Sequence, residues 1–174
     1  MVAGGMSVAL PSVMIGSMNP EDLLKGRTRE TQIRRDALGN WWNGEDPISH
    51  PILKKRFDGW VDKAEDGRFC LSNEINWAYI ALEGPAYWVQ SVEIGDGVVE
   101  LLLSGERREA LDPSTLAQSE SGELYCKVRD GRCHAIFENH AAVQLMDHFG
   151  EDDEGTYLDL FGEKVRIPIV DLSS

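Results

Sequence analysis

The chain has 174 residues, an apolar share of 42% and a formal net charge of −13. That length holds one good core or two small ones sharing a face, and the composition argues against disorder. The charge argues against nucleic acid, which needs a basic face to displace counterions, and against an anionic lipid surface. Three cysteines without a Cys-x-x-Cys make no disulfide framework and suit reduced thiols in a cytoplasmic protein.

Residues 1–18 are apolar and glycine-rich but lack the basic start of a signal peptide. They are too short, and too broken by Gly and Pro11, to span a membrane. A loose N-terminal tail is expected there. Asn19-Pro20-Glu21-Asp22 then signals a helix start, with a capping Asn, Pro in the first turn and acids at the positive end of the dipole. Gly26 ends that helix.

Ile33 to Trp42 reads as a hairpin with Gly39 in its turn, and Asn43 to Pro47 as a second turn. Pro51 belongs in a first helical turn, which makes Ser49 or His50 the cap. Leu53, Phe57, Trp60 and Val61 follow at helical spacing on one face. Asp66-Gly67 turns the chain into the next strand. Ala86 to Ile94 and Val98 to Ser104, split by Gly95-Asp96-Gly97, form a hairpin. Asp112-Pro113 and the polar stretch Ser114 to Gly122 read as the boundary between two halves.

Beyond it, Leu124, Cys126, Val128 and Cys133, Ala135, Phe137 alternate with polar or outward residues around Asp130-Gly131. A two-residue turn there puts the six on one face, with Cys126 and Cys133 diagonal rather than opposed. A helix from His140 uses Val143, Met146 and Phe149 inward and ends at Gly150. Glu151 to Glu154 reads as a solvated loop, and Pro168 places the last strand at an edge, or leaves its donor side exposed.

Arg35 to Leu82 and Arg129 to Val170 match each other in this order of signals, and the match is gapless after the helix. Asp66 to Leu71 lies over Glu154 to Asp159, and Ile75 to Leu82 over Glu163 to Val170. The fold class expected is therefore α+β: two repeated strand-strand-helix-strand-strand units, mostly antiparallel, with an inserted β-hairpin. Residues 19–113 form the first repeat unit, with the N-terminal helix and the inserted hairpin, and residues 123–174 the second.

Few residues point to chemistry. His134, His140 and His148 with Asp147, Glu151 and Asp152 match no compact metal motif, so no metal is expected. Cys70, Cys126 and Cys133 lie in strand patterns that predict burial as small hydrophobes rather than activation as nucleophiles. There is no Gly-x-Ser-x-Gly, Walker loop or Gly-x-Gly-x-x-Gly, and no catalytic residue or cofactor is expected. His50 and His140 recur near helix starts. They either close the helix by local hydrogen bonds or form paired pockets for an anion. Five tryptophans are generous for this length. Adjacent strand residues face opposite ways, so one of Trp41/Trp42 and one of Tyr87/Trp88 points away from the core. Near Arg34, Arg35 and Arg56 such aromatics make a partner or ligand surface, unless the inserted hairpin or the other half covers them.

The stretch Asp-x-x-Gly-Asn-Trp-Trp from Asp36, the Pro-Ile of Pro47-Ile48, Pro-x-Leu with Phe57, and Asp66-Gly67-Arg68-Phe69-Cys70-Leu71 resemble a family of small bacterial proteins, domain of unknown function 1285 (DUF1285). The resemblance covers roughly Glu30 to Val170. His50 stands before Pro51 where the family often has arginine, and Ser72-Asn73-Glu74 replaces a Thr-Pro and a Glu-Lys pair. The resemblance implies an α+β fold of two similarly built halves and a signalling or regulatory role, and it brings no catalytic residues.

The expectation is a cytoplasmic, non-enzymatic binding or regulatory module, with Trp41, Trp42, His50, Trp88 and His140 as candidate contacts. Its partner is a protein or a small ligand, with a homodimer as one form, and neither nucleic acid nor membrane. The alternative is a small enzyme or ligand-binding protein with its site in the groove between the halves, using His50, His140 and nearby acids.

Overall fold

The computed structural model describes residues 28–171. The expected tail and the helix at Asn19 to Gly26 lie outside the described residues. The chain divides into two compact units, Met1–Gly84 and Pro85–Ser174.

In the first unit β1 (Ile33–Arg35), β2 (Trp41–Asn43) and β3 (Asp46–Pro47) form a meander, followed by α1 (Pro51–Trp60). Strands β4 (Val61–Lys63), β5 (Phe69–Ser72) and β6 (Trp77–Tyr79) make a three-stranded antiparallel sheet in that order. The short β7 (Ala81–Leu82) pairs in parallel with β1, giving a four-stranded sheet β3-β2-β1-β7. Helix α1 starts where expected: Pro51 occupies the first turn, and the Leu53 amide donates to the His50 Nδ1 at 3.4 Å. Phe57 is buried and Leu53 and Trp60 half-buried, while Val61 opens β4 instead of closing the helix.

The second unit opens with β8 (Tyr87–Gly95) and β9 (Val98–Leu103), joined by Asp96-Gly97 with both residues left-handed. After β10 (Arg107–Ala110) and β11 (Ala117–Gln118) come β12 (Leu124–Val128), β13 (Cys133–Phe137) and the helix α2 (Asn139–Leu145). Strands β14 (Phe149–Asp152), β15 (Gly155–Leu160) and β16 (Glu163–Arg166) complete it as an antiparallel three-stranded sheet. The larger sheet runs β10-β9-β8-β13-β12-β11, with β13 parallel to β8.

The β12–β13 alternation is borne out residue by residue. Leu124, Cys126, Val128, Cys133, Ala135 and Phe137 are all buried, and Cys126 pairs with Ala135 while Cys133 pairs with Val128. Strand β11 covers only the start of β12. Farther along, the Lys127 amide donates to Thr115 Oγ1 and the Arg129 amide to Glu109 Oε1, so side chains satisfy donors that no strand reaches. Beyond β16, Pro168 joins the sheet edge through its carbonyl, which accepts from the Gln118 amide.

Five expectations are corrected. The Tyr87–Leu103 hairpin is not part of the first half: parallel pairing of Tyr87, Trp88 and Val89 with Ala135, Ile136 and Phe137 makes it the centre of the second unit's sheet. The division therefore falls at Gly84 and Pro85, not within Ser114 to Gly122, where Leu116 is buried and Ala117–Gln118 is a strand. Helix α2 buries Ala141 and Leu145, while Val143 and Met146 are exposed; Phe149 belongs to a strand and so cannot share their stripe. The acidic run from Glu151 is half strand, since Glu151 and Asp152 pair with Thr156 and Gly155. Finally, the gapless match slips by two residues at the last hairpins. Ser72 pairs with Trp77 across a turn in which Asn73 Oδ1 accepts from the Ile75 and Asn76 amides, whereas Leu160 pairs with Glu163 across only Phe161-Gly162.

Candidate partner-binding surface

The β1–β2 hairpin carries two arginine–tryptophan pairs back to back. Antiparallel register sets Arg35 opposite Trp41 and Arg34 opposite Trp42. Neighbours along a strand face opposite ways, so one pair points in and the other out.

The inward pair is core. Trp41 and Arg35 are almost fully buried, with the guanidinium 5.4 Å from the indole centroid. Asp58 on α1 accepts from both, at 2.9 Å from Trp41 Nε1 and 3.1 Å from the Arg35 guanidinium. Phe57 meets the Trp41 ring edge-on at 5.3 Å. This carboxylate ties the helix to the hairpin, and it removes Trp41 from the set of surface contacts.

The outward pair is half-buried. The Arg34 guanidinium lies 4.9 Å from the Trp42 ring centroid, and its Nε donates to the Gly44 carbonyl at 3.2 Å. Pro47 is Trp42's neighbour on the other side. The indole N–H donates to Asp36 Oδ2 at 2.9 Å. The same carboxylate accepts from the Leu38 and Asn40 amides at 3.0 and 2.9 Å. Those bonds, from Trp42 first, hold the Asp36 carboxyl below its ordinary range. One ionised group thus fixes both the loop and the tryptophan, and the loop presents Leu38 at 87% exposure. A fixed indole beside an arginine and an exposed leucine has little side-chain freedom left to lose.

A second aromatic array covers the other sheet of this unit. The Arg29 guanidinium lies 4.1 Å from the Trp77 ring, Trp77 meets Tyr79 edge-on at 5.0 Å, and Arg68 lies 3.6 Å from Tyr79. Glu30 binds Arg68 through two bonds of 2.6 and 2.9 Å, and the Tyr79 hydroxyl donates to Asp66 at 2.7 Å. These groups satisfy one another, which reads as a sheet cover rather than a site.

The remaining candidates separate. His50 is the cap of α1 in the first unit. His140, in the second unit, is exposed and lies inside α2, whose cap is Glu138 with no side-chain bond. The two histidines therefore do not occupy equivalent places. Trp88 is half-buried on the opposite face of β8 from the buried Tyr87. Cys70, Cys126 and Cys133 are buried outside any disulfide; burial first, with Glu109 second, pushes the Cys126 thiol up to about 12. Such a thiol is a poor nucleophile. Among the described residues no three His, Cys, Asp or Glu side chains gather as a metal site.

No family model matches the chain, and no curated protein is significantly similar to it. Two solved structures are. One is a DUF1285 family protein from Silicibacter pomeroyi DSS-3, with TM-score 0.60 and 21% identity over 82% of this chain and 81% of that one. The other is a DUF1285 family protein from Shewanella baltica OS155, with TM-score 0.54 and 12% identity over 69% and 94%. This chain has the DUF1285 fold. The agreement is one of fold, and it matches the resemblance carried by Asp36 to Leu82.

The sequence pointed to outward aromatics near Arg34 but not to Asp36 or Leu38. The signal for Asp36 was present: an acid just before a hairpin turn, with a tryptophan following the turn. The five-residue connection, Asp36 to Asn40, that lets one carboxylate reach both is a property of the folded loop.

Proposed function

We propose that this protein is a non-enzymatic binding module of regulatory or signalling kind, which meets its partner through Trp42, Arg34 and Leu38 on the outer face of the first unit. The observation that carries the reading is the Trp42 indole, half-exposed yet fixed by Asp36 between Arg34 and Pro47. Tryptophan and arginine dominate the energetics of protein contacts, and fixing them beforehand lowers the cost of association. Three buried cysteines outside any disulfide support a cytoplasmic setting. A second copy of the chain is one partner of this kind.

We also read the two units as copies of one plan, hairpin, helix and three-stranded sheet. The helix caps His50 and Glu138, the buried Phe57 and Leu145, the strand starts Val61 and Phe149, and the buried Cys70 and Leu158 fall at one constant spacing.

Sedimentation equilibrium and affinity capture with a tagged chain test the binding surface. Trp42→Ala combined with Leu38→Asp is expected to abolish self-association or partner capture, with circular dichroism unchanged. Association that survives both changes removes this surface as the site.

A further inference from the structure

Three hairpin turns in the second unit have two central residues in the left-handed region, and at the β12–β13 turn Arg129, just before them, is left-handed as well, with φ of 56°. Asp96-Gly97 has φ of 51° and 77°, Asp130-Gly131 has 55° and 84°, and Phe161-Gly162 has 53° and 87°. Asp-Gly suits such a turn, because a short polar side chain tolerates this backbone and glycine accepts it freely. Phenylalanine does not: its bulk is strained at positive φ. Phe161 also gains little by burial, being 54% exposed at the tip of the β15–β16 hairpin. The chain solves the same turn twice with Asp-Gly and a third time with a residue that suits neither the backbone nor the solvent. Among the described residues nothing offsets that strain.

The surroundings give the partner's chemistry. Asp159 and Glu163 flank the tip and are exposed. The unit Pro85–Ser174 has 7 basic and 18 acidic residues, while Met1–Gly84 has 10 and 12, so almost all the net charge belongs to the unit that carries Phe161. The nearby cations are already engaged: Lys164 lies over the Tyr157 ring, and Arg166 is bound through two bonds to Asp152. An aromatic anchor in an acidic field fits an apolar patch bordered by lysine or arginine, and the sign of the field excludes nucleic acid and anionic lipid.

We propose that Phe161 is an anchor by which the second unit docks on a basic protein partner, inserting into an apolar patch ringed by positive side chains. This contact is separate from the Trp42 surface and stands or falls independently of it.

The test uses the full chain and two probes: a short amphipathic peptide of lysine and leucine, and polylysine of the same length. Fluorescence anisotropy is expected to show the chain preferring the lysine–leucine peptide. Phe161→Asn is expected to weaken that peptide at least about tenfold and to leave polylysine binding unchanged. The same variant should raise the melting temperature by about 2 °C, because asparagine relaxes the turn. Asp159→Asn with Glu163→Gln should flatten the salt dependence of binding. The proposal is overturned if the chain does not discriminate between the probes or if Phe161→Asn binds the peptide as well as the parent. A lowered melting temperature in Phe161→Asn also overturns it, since that outcome makes Phe161 a structural residue.

Discussion

The two units fill their interiors differently. The first buries a charged arginine under its hairpin and compensates it with a carboxylate from the helix, beside the large rings of Trp41 and Phe57. The second packs its β12–β13 hairpin with Cys126, Val128, Cys133 and Ala135, and among the described residues it buries no whole charged side chain. A buried ion pair contributes little net stability compared with an apolar replacement, but it fixes geometry, because the charge tolerates only one arrangement of its partner. In the first unit one carboxylate thus ties helix to hairpin, and the same hairpin carries the fixed Trp42. The second packs chiefly aliphatic side chains around Tyr87 and Phe137 and carries most of the acidic excess.

This contrast can be broken most directly at its centre. Asp58→Ala removes a carboxylate from a buried guanidinium and an acceptor from Trp41, and is expected to cost about 3 kcal/mol in denaturant unfolding. Leu145→Ala in the second unit, an apolar truncation, is expected to cost about as much through its cavity. The two should differ in kind. Replacing Arg35 and Asp58 together by Met and Leu should recover most of the first loss, whereas nothing but refilling the cavity recovers the second. A double replacement as damaging as Asp58→Ala alone would show that the pair contributes more than geometry.

The helix starts give the next contrast. His50→Ala should cost about 1 kcal/mol, since it removes a side-chain acceptor from the Leu53 amide. Glu138→Ala should change thermal unfolding by less than about 0.5 kcal/mol, because no side-chain bond is lost there. Equal losses at both would mean that the histidine's role is not the cap.

The smallest effect is electrostatic. Arg166 holds the Asp152 carboxyl down to about 2, helped by the Glu154 amide. A carboxyl depressed in the folded state stabilises above its unfolded value near 3.9, and that contribution fades as pH falls toward 2. In Arg166→Gln the Asp152 titration, followed by carboxyl NMR, should move up toward the ordinary range, and the acid-side loss of stability should move up with it. An unmoved titration would assign the shift to the backbone bond instead.

Much of this architecture was legible because its signals are local. The faces of β12 and β13 follow from strict alternation about a turn, and the first turn of α1 from Pro51, with the cap narrowed to Ser49 or His50. The orientation of α2 was not. Val143 and Met146 are the louder apolar residues, but the inward stripe is Ala141 and Leu145, and alanine is a weak signal for burial. The surface at Trp42 was half legible: adjacency in a strand required one of Trp41 and Trp42 to face out, and only the position of Asp58 under the hairpin decided which.

By itself the sequence determined the Asp-Gly turns, the faces of β12 and β13, the start of α1, and that Trp41 and Trp42 face opposite ways, because each depends on neighbours a few residues apart. The tertiary structure alone decided that the central hairpin joins β13 rather than β1, that the division falls at Gly84 and Pro85, and that one carboxylate on α1 serves both Arg35 and Trp41. Each of these is a choice among distant partners with similar local patterns. The free energy that settles it comes from burying whole faces together, which no stretch of the chain displays on its own.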